Sequence, residues 1–155
     1  MEYPYLFYIS FPLITYLIFV IWYELKTGLI LDKVVIPASV FFISAPFLLK
    51  NSHWLSHVAG LVASLLFFLL AASIYAKVTG KEGIGGGAIK LMASVGAAVG
   101  FEYSIQLALI FTLLIVGGII FAKIFGKETM PSSPFAMMAL LIIITFHKSI
   151  SWSFG

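Results

Sequence analysis

Residues 81–93 read Lys81-Glu82-Gly83-Ile84-Gly85-Gly86-Gly87-Ala88-Ile89-Lys90-Leu91-Met92-Ala93, and we call this segment the glycine motif. Within it, four glycines fall in a run of five residues. Glycine lowers helix stability by about 0.5–1 kcal/mol relative to alanine, so such a cluster indicates a backbone that bends or is closely approached. Charged residues flank the glycines, and apolar runs lie on both sides. The motif therefore puts polar groups at the end of a membrane helix.

The composition is typical of a membrane protein. Of 155 residues, 62% are hydrophobic and 10% are charged, whereas soluble domains average roughly 25% charged residues. A spanning helix needs about 20 mostly apolar residues. We therefore expect a single transmembrane domain over residues 1–155, folded as an all-α, compact bundle of about six transmembrane helices. The chain has no cysteine, which excludes disulfides, thiol nucleophiles and cysteine zinc sites.

The apolar runs predict helices over residues 5–23, 34–49, 55–76, 89–99, 105–124 and 135–146, with the last open to extension towards Trp152. The fourth run is too short to cross about 30 Å, since each helical residue rises about 1.5 Å. It is also rich in small residues, which allow helices to approach closely. We expect it to be buried among the others. No cleavage site follows the first run, so we expect that run to be a retained span.

The positions of the lysines predict the orientation of the bundle. Seven of the nine lysines follow the first, third and fifth predicted spans, and the opposite side has only Lys50 and Lys148. Cytoplasmic loops carry an excess of basic residues. We therefore expect these three loops in the cytoplasm, both termini outside, and a multi-pass protein of the cell membrane.

The polar residues near the predicted spans admit structural as well as functional interpretations. Carboxylates in membrane segments are costly and usually functional, but Glu24 also fits an interfacial residue paired with Lys26 or Lys33. Asp32 fits an acid in the first turn of a helix, where the helix dipole favours it. The glycines alone would also fit a flexible connector. The spacing of His53 and His57 allows a shared helical face, but a metal site needs more ligands, which favours two interfacial histidines.

Three segments resemble motifs of the type IV prepilin peptidases, which are GxGD-type aspartic intramembrane peptidases. The glycine motif is similar to the signature G-x-G-G-G-D-x-K-L-x-A. The segment from Trp22 to Pro37 resembles the first motif, in which a catalytic Asp precedes a polar stretch, an apolar pair, another Asp or Asn, and a Pro. The segment Met130-Pro-Ser-Ser-Pro-Phe135 resembles the Pro-x-x-Pro-Phe turn before the last helix. The motifs occur in the order of that family.

This resemblance implies an aspartic endopeptidase that cleaves the basic leader of prepilins, pseudopilins or archaellins at the cytoplasmic membrane face. The two catalytic Asp positions of the family correspond to Glu24 and Ala88. An active-site loop would comprise Gly83, Gly85, Gly86, Gly87 and Lys90. The resemblance implies no metal and no cofactor. The expected partners are a prepilin-like substrate and the lipid bilayer, with no nucleic acid. Without cysteine, we expect no N-terminal methyltransferase domain.

Neither catalytic position is aspartate in this chain. An aspartic dyad works because two nearby carboxyls share one proton, so that one acts as a base towards water and the other as an acid. Glu24 keeps a carboxylate, although one extra methylene displaces it by about 1 Å or more, and such a displacement can cost about 10²-fold in rate. Ala88 has no ionisable group, and losing a general acid or base costs about 10²–10⁴-fold. We expect the chain as written to be close to inactive.

Several interpretations stay open at this point. Because the motif is intact around Ala88, an engineered Asp-to-Ala substitution is favoured over a natural pseudoprotease that binds pilin-like helices without cutting them. Glu24 fits either a working natural variant or a diverged branch. Asp32 lies eight residues further on and is a weak substitute for Glu24. A small multi-pass transporter or assembly factor is the non-proteolytic alternative. The sequence leaves the substrate and the oligomeric state undetermined.

Overall fold

The structure is a computed structural model that describes residues 3–48, 54–79, 85–124 and 131–153. Every regular element in these ranges is an α-helix. In chain order the helices are α1 (Tyr3–Thr27), α2 (Asp32–Leu48), α3 (Trp54–Thr79), α4 (Gly86–Val99), α5 (Phe101–Ile124) and α6 (Ser133–Ser153). Each predicted helix is present, and α6 runs on past Trp152 as the sequence allowed. The predicted all-α class is confirmed.

Three of the described helices are long and apolar enough to cross a membrane. The segments that meet this condition are Ile9–Thr27, Trp54–Lys77 and Phe101–Gly118. Helix α4 has 14 residues and is about 21 Å long, which is short of the hydrocarbon thickness of about 30 Å. The fold is therefore a membrane-protein bundle that contains at least one helix unsuited to spanning alone.

Helix α4 lies at the centre of the bundle and contacts each of the other five helices. Residues 88–99 of this helix are all buried except Lys90. The prediction of a short, small-residue helix wrapped by its neighbours is therefore confirmed. The wrapping explains how so short an apolar helix is stable, because its backbone and side chains are shielded by protein.

Small residues bring α3 and α4 into close contact. A Cβ atom added at Gly96 would lie 2.6 Å from the carbonyl oxygen of Gly60 and would overlap the hydroxyl of Ser64. A Cβ added at Gly60 would lie 2.8 Å from the carbonyl carbon of Gly100. Helices in membranes associate through such close packing, because lipid provides little hydrophobic driving force between them.

Glycines also end α1 and α4. Gly28 has a φ of 71°, and its N–H donates to the carbonyl of Glu24 at 2.7 Å. Gly100 has a φ of 81°, and its N–H donates to the carbonyl of Gly96 at 2.9 Å. A residue at positive φ just past the last turn is the usual helix C-terminal cap, and glycine adopts it without strain. Both helices therefore stop at defined residues.

His57 lies at the end of the bundle where α3 begins, and it contacts α4. Its side chain is fully buried, and its Nδ1 lies 2.7 Å from the carbonyl oxygen of Ala97. The last turns of α4 cover the first turn of α3, so protein surrounds the His57 side chain, and its interfacial position stays a prediction. His53 lies outside the described residues.

Candidate active site

The C-terminal end of α1 and the N-terminal ends of α2, α4 and α6 meet at one end of the bundle. Glu24 of α1 hydrogen-bonds to Ser132 and Ser133 at the start of α6. At the same end, the Asp32 carboxylate of α2 accepts a hydrogen bond from the ammonium of Lys90 in α4. All three segments that carried the sequence resemblance therefore contribute to this end.

Glu24 projects from the buried face of α1. Residues on this face recur at helical spacing and are almost fully buried: Ile9, Leu13, Leu17 and Val20. Glu24 continues the same face one turn further and is 8% exposed. Helix α1 ends one turn later, at the Gly28 cap, so the carboxylate lies near the C-terminal end of the helix.

The Glu24 carboxylate is held by the first residues of α6. Its Oε1 accepts from the backbone N–H and the hydroxyl of Ser132, at 2.9 and 3.0 Å. Its Oε2 accepts from the backbone N–H of Ser133 at 2.8 Å and from the Ser133 hydroxyl. The interpretation that Glu24 pairs with Lys26 or Lys33 is wrong, because within the described ranges its hydrogen bonds go to these two serines.

Ala88 occupies the buried face of α4. Leu91, Met92 and Val95 share that face and are fully buried, and Ala88 itself is 6% exposed. Its N–H donates to the carbonyl of Gly85 at 3.0 Å, within the first turn of the helix. A side chain at position 88 thus points into the protein at the N-terminal end of α4. In this chain that side chain is a methyl group with no acid or base function.

The glycines around position 88 have different surroundings. A Cβ at Gly87 would lie 2.9 Å from the Cβ of Ile30, so this glycine lets the α1–α2 connection pack against α4. Cβ atoms at Gly85 and Gly86 would meet no described atom within 4 Å. Gly85 is the N-cap residue of α4 and is exposed. Gly83, also assigned to the active-site loop, lies outside the described residues.

Asp32 and Lys90 form an ion pair with 2.7 Å between the Lys90 Nζ and the Asp32 Oδ2. Their side chains are 52% and 47% exposed, respectively. Asp32 also lies in the first turn of α2, as predicted. Lys90 projects away from the buried face that carries Ala88, so this pair closes the outer side of the α2–α4 contact. Asp32 therefore contacts Lys90 and not the serines that hold Glu24.

Ser132 and Ser133 are the site residues that sequence reasoning missed. A serine followed by Pro134 at the start of an apolar run is a typical helix N-terminus, so the start of α6 was visible in the sequence. The sequence did not reveal which group this helix N-terminus binds, because Glu24 lies 108 residues away from Ser132.

No group of three or more His, Cys, Asp or Glu side chains suited to a metal ion occurs among the described residues. The arrangement instead offers one buried carboxylate, one exposed ion pair and a helix N-terminus at which Cβ atoms on Gly85 and Gly86 would contact no described atom. These groups suit hydrogen bonding and acid–base chemistry.

The fold and this end of the bundle define an all-α membrane protein in which a buried carboxylate, Glu24, lies where four helix termini meet. A protein-family model, the type IV leader peptidase family, matches residues 11–146. The chain belongs to that family. No significant match was found among curated proteins or among solved structures.

Proposed function

We propose that this chain is a prepilin-peptidase-type aspartic endopeptidase whose site lacks one of its two carboxylates and which, as written, does not cleave. Ala88 carries this proposal. It is buried at the first turn of α4 in an otherwise intact glycine motif, and it corresponds to a catalytic Asp of the family. The substrate class is the leader of a pilin, pseudopilin or archaellin, and the site of action is the cytoplasmic membrane face.

The chemistry needs carboxyl groups at positions 24 and 88. One carboxylate takes a proton from water, whose oxygen attacks the scissile carbonyl after the glycine of the leader. The other carboxyl donates a proton to the carbonyl oxygen and recovers it when the carbonyl re-forms, while the proton taken from water passes to the amine as the C–N bond breaks. A methyl group at position 88 can neither donate nor accept a proton. Loss of one such group costs about 10²–10⁴-fold in rate.

A cleavage assay with the Ala88→Asp variant tests the proposal. The variant, the unchanged chain and Ala88→Asn are incubated in lipid with a panel of prepilin-like substrates. The asparagine variant matches aspartate in size but supplies no carboxylate. The proposal is supported if only the Ala88→Asp variant cleaves and if adding Glu24→Gln to it abolishes cleavage. Both positions would then be required for peptidase activity. Failure to cleave any substrate, with Glu24→Asp adding nothing, contradicts it.

The hydrogen bonding of Glu24 favours a second candidate, a family member that binds pilin-like helices without cleaving them. Both oxygens of this carboxylate are engaged by donors from Ser132 and Ser133, which is unfavourable for a group that must activate water. Pull-down of a prepilin by the unchanged chain, with no cleavage by Ala88→Asp, would favour this candidate over the peptidase.

A further inference from the structure

The carboxylate of Glu24 has its acceptor positions filled. A carboxylate offers about four lone-pair sites, two on each oxygen. Ser132 supplies two donors to Oε1, and Ser133 supplies two donors to Oε2. These four hydrogen bonds from the described residues match the roughly four acceptor positions of the carboxylate. The group is therefore held as an acceptor for protein donors.

The donors belong to the N-terminus of α6. The carbonyl of Ser132 accepts from the N–H of Ala136, so Ser132 is the N-cap residue. The first backbone N–H groups of a helix have no partner within the helix, and the helix dipole makes this end attractive to anions. Serine at an N-cap usually accepts a hydrogen bond from the helix. Here the serine hydroxyls donate outward, and Glu24 of another helix supplies the acceptor.

The same turn also packs against α5. A Cβ at Gly118 would lie 2.6 Å from the Cζ of Phe135, so the phenyl ring rests directly on this glycine. The first turn of α6 is thus held from two directions, by the charge of Glu24 and by contact with α5. Both contacts act within residues 132–135.

We propose that Glu24 has a second, structural role as the anionic cap that fastens the start of α6 to the end of α1. Glutamate suits this role better than aspartate, because aspartate is shorter by one C–C bond, roughly 1.5 Å, and would draw back from the serines. This inference rests on the proposed function in one respect, which is that position 24 corresponds to one of the two catalytic positions of the family. It assigns that position a task that needs no substrate.

Thermal unfolding of the chain with Ala88 unchanged tests this role. The variants are Glu24→Gln, Ser132→Ala with Ser133→Ala, and the combination of all three. Glutamine keeps the size of the side chain but would turn an NH₂ group towards donors, so a packing role alone would tolerate it. We expect the first two variants to lower the unfolding midpoint by roughly 5 °C or more. The unfolding midpoint of the combined variant should be no lower than that of the less stable of these two variants, because Glu24 and the two serines act as one unit.

Matched controls separate this effect from general damage. Ser73 is exposed, and its hydroxyl bonds to the carbonyl of Leu69 within its own helix. Ser73→Ala should therefore combine additively with Glu24→Gln. Ser133→Thr keeps the hydroxyl and should restore the stability that Ser133→Ala removes.

Independent, additive shifts from Glu24→Gln and the serine variants would overturn the proposal, as would a Glu24→Gln variant with an unchanged midpoint. If Glu24→Gln does not fold, Ser132 and Ser133 are compared as alanine and threonine variants. Equal unfolding midpoints for the alanine and the threonine variants would then overturn the proposal. An inactive Ala88→Asp variant would count against the proposed peptidase and leave the unfolding comparison intact.

Discussion

Of the two positions proposed as catalytic, position 24 keeps a carboxylate as Glu24, whereas position 88 has only the methyl group of Ala88. At the start of α4, Gly85 is the N-cap residue and Ala88 begins the buried face of the helix. The structure also distinguishes glycines that the sequence presents as equivalent. Ile30 packs against Gly87, whereas a Cβ at Gly86 would contact no described atom within 4 Å.

We predict that Gly87→Ala destabilises the protein and Gly86→Ala does not. The new methyl at position 87 would lie 2.9 Å from the Cβ of Ile30, and overpacking costs about 1–3 kcal/mol. At position 86 alanine should be neutral or stabilising by about 0.5–1 kcal/mol, because it reduces the freedom of the unfolded chain and meets no described atom. Denaturant unfolding in detergent measures both. Equal effects of the two variants would contradict the assignment of Gly87 to the contact with Ile30.

The ion pair of Asp32 with Lys90 should contribute little to stability. Both side chains are about half exposed, and exposed pairs are worth about 0–1 kcal/mol. We predict that Asp32→Asn lowers the free energy of unfolding by no more than about 1 kcal/mol, with a smaller effect at high salt. A loss several times larger would show that Asp32 does more than pair with Lys90.

At the scale of helices, much of the fold could be predicted from the sequence. Length and hydropathy located all six helices, and the small residues of α4 indicated burial at the centre. The contacts of Glu24 and His57 could not be predicted in the same way. Each depends on which helix lies alongside, and their partners Ser132 and Ala97 are distant in sequence. Local patterns carry no information about such contacts.

The α3–α4 contact yields a prediction at this scale. Gly96→Ala should destabilise the bundle by about 1–3 kcal/mol, because the methyl would press on the Gly60 carbonyl and the Ser64 hydroxyl. Gly117→Ala in α5 is the matched control, since a Cβ there would meet no described atom within 4 Å. Unfolding midpoints of both variants check this. A tolerated Gly96→Ala would mean that α3 and α4 are not held at this separation.

For the whole molecule, the positions of the helix ends support the orientation expected from the lysines. The ends of α1, α2, α4 and α6 that carry Glu24, Asp32, Lys90 and Ser132 lie together. The starts of α3 and α5 meet at the other end, where the N–H of Phe101 donates to the hydroxyl of Ser56. We propose that the first of these two ends faces the cytoplasm.

Cysteine labelling tests this orientation, and the chain has no cysteine of its own to interfere. Lys33 and Glu102 are exposed and belong to opposite ends of the bundle. We predict that Lys33→Cys reacts with a membrane-impermeant maleimide only when the cytoplasmic face is accessible, and Glu102→Cys only from the other side. Labelling of both from one side, or the reverse pattern, would contradict the proposed orientation.

The most direct test of the central claim is the mass-spectrometric detection of leader release by Ala88→Asp, beside the unchanged chain and Ala88→Asn. A carboxyl group at position 88 is predicted to raise the rate by about 10² or more over both, with a single cut after the glycine of the leader. Equal, negligible release by all three proteins, with a folded Ala88→Asp variant that binds its substrate, would contradict it.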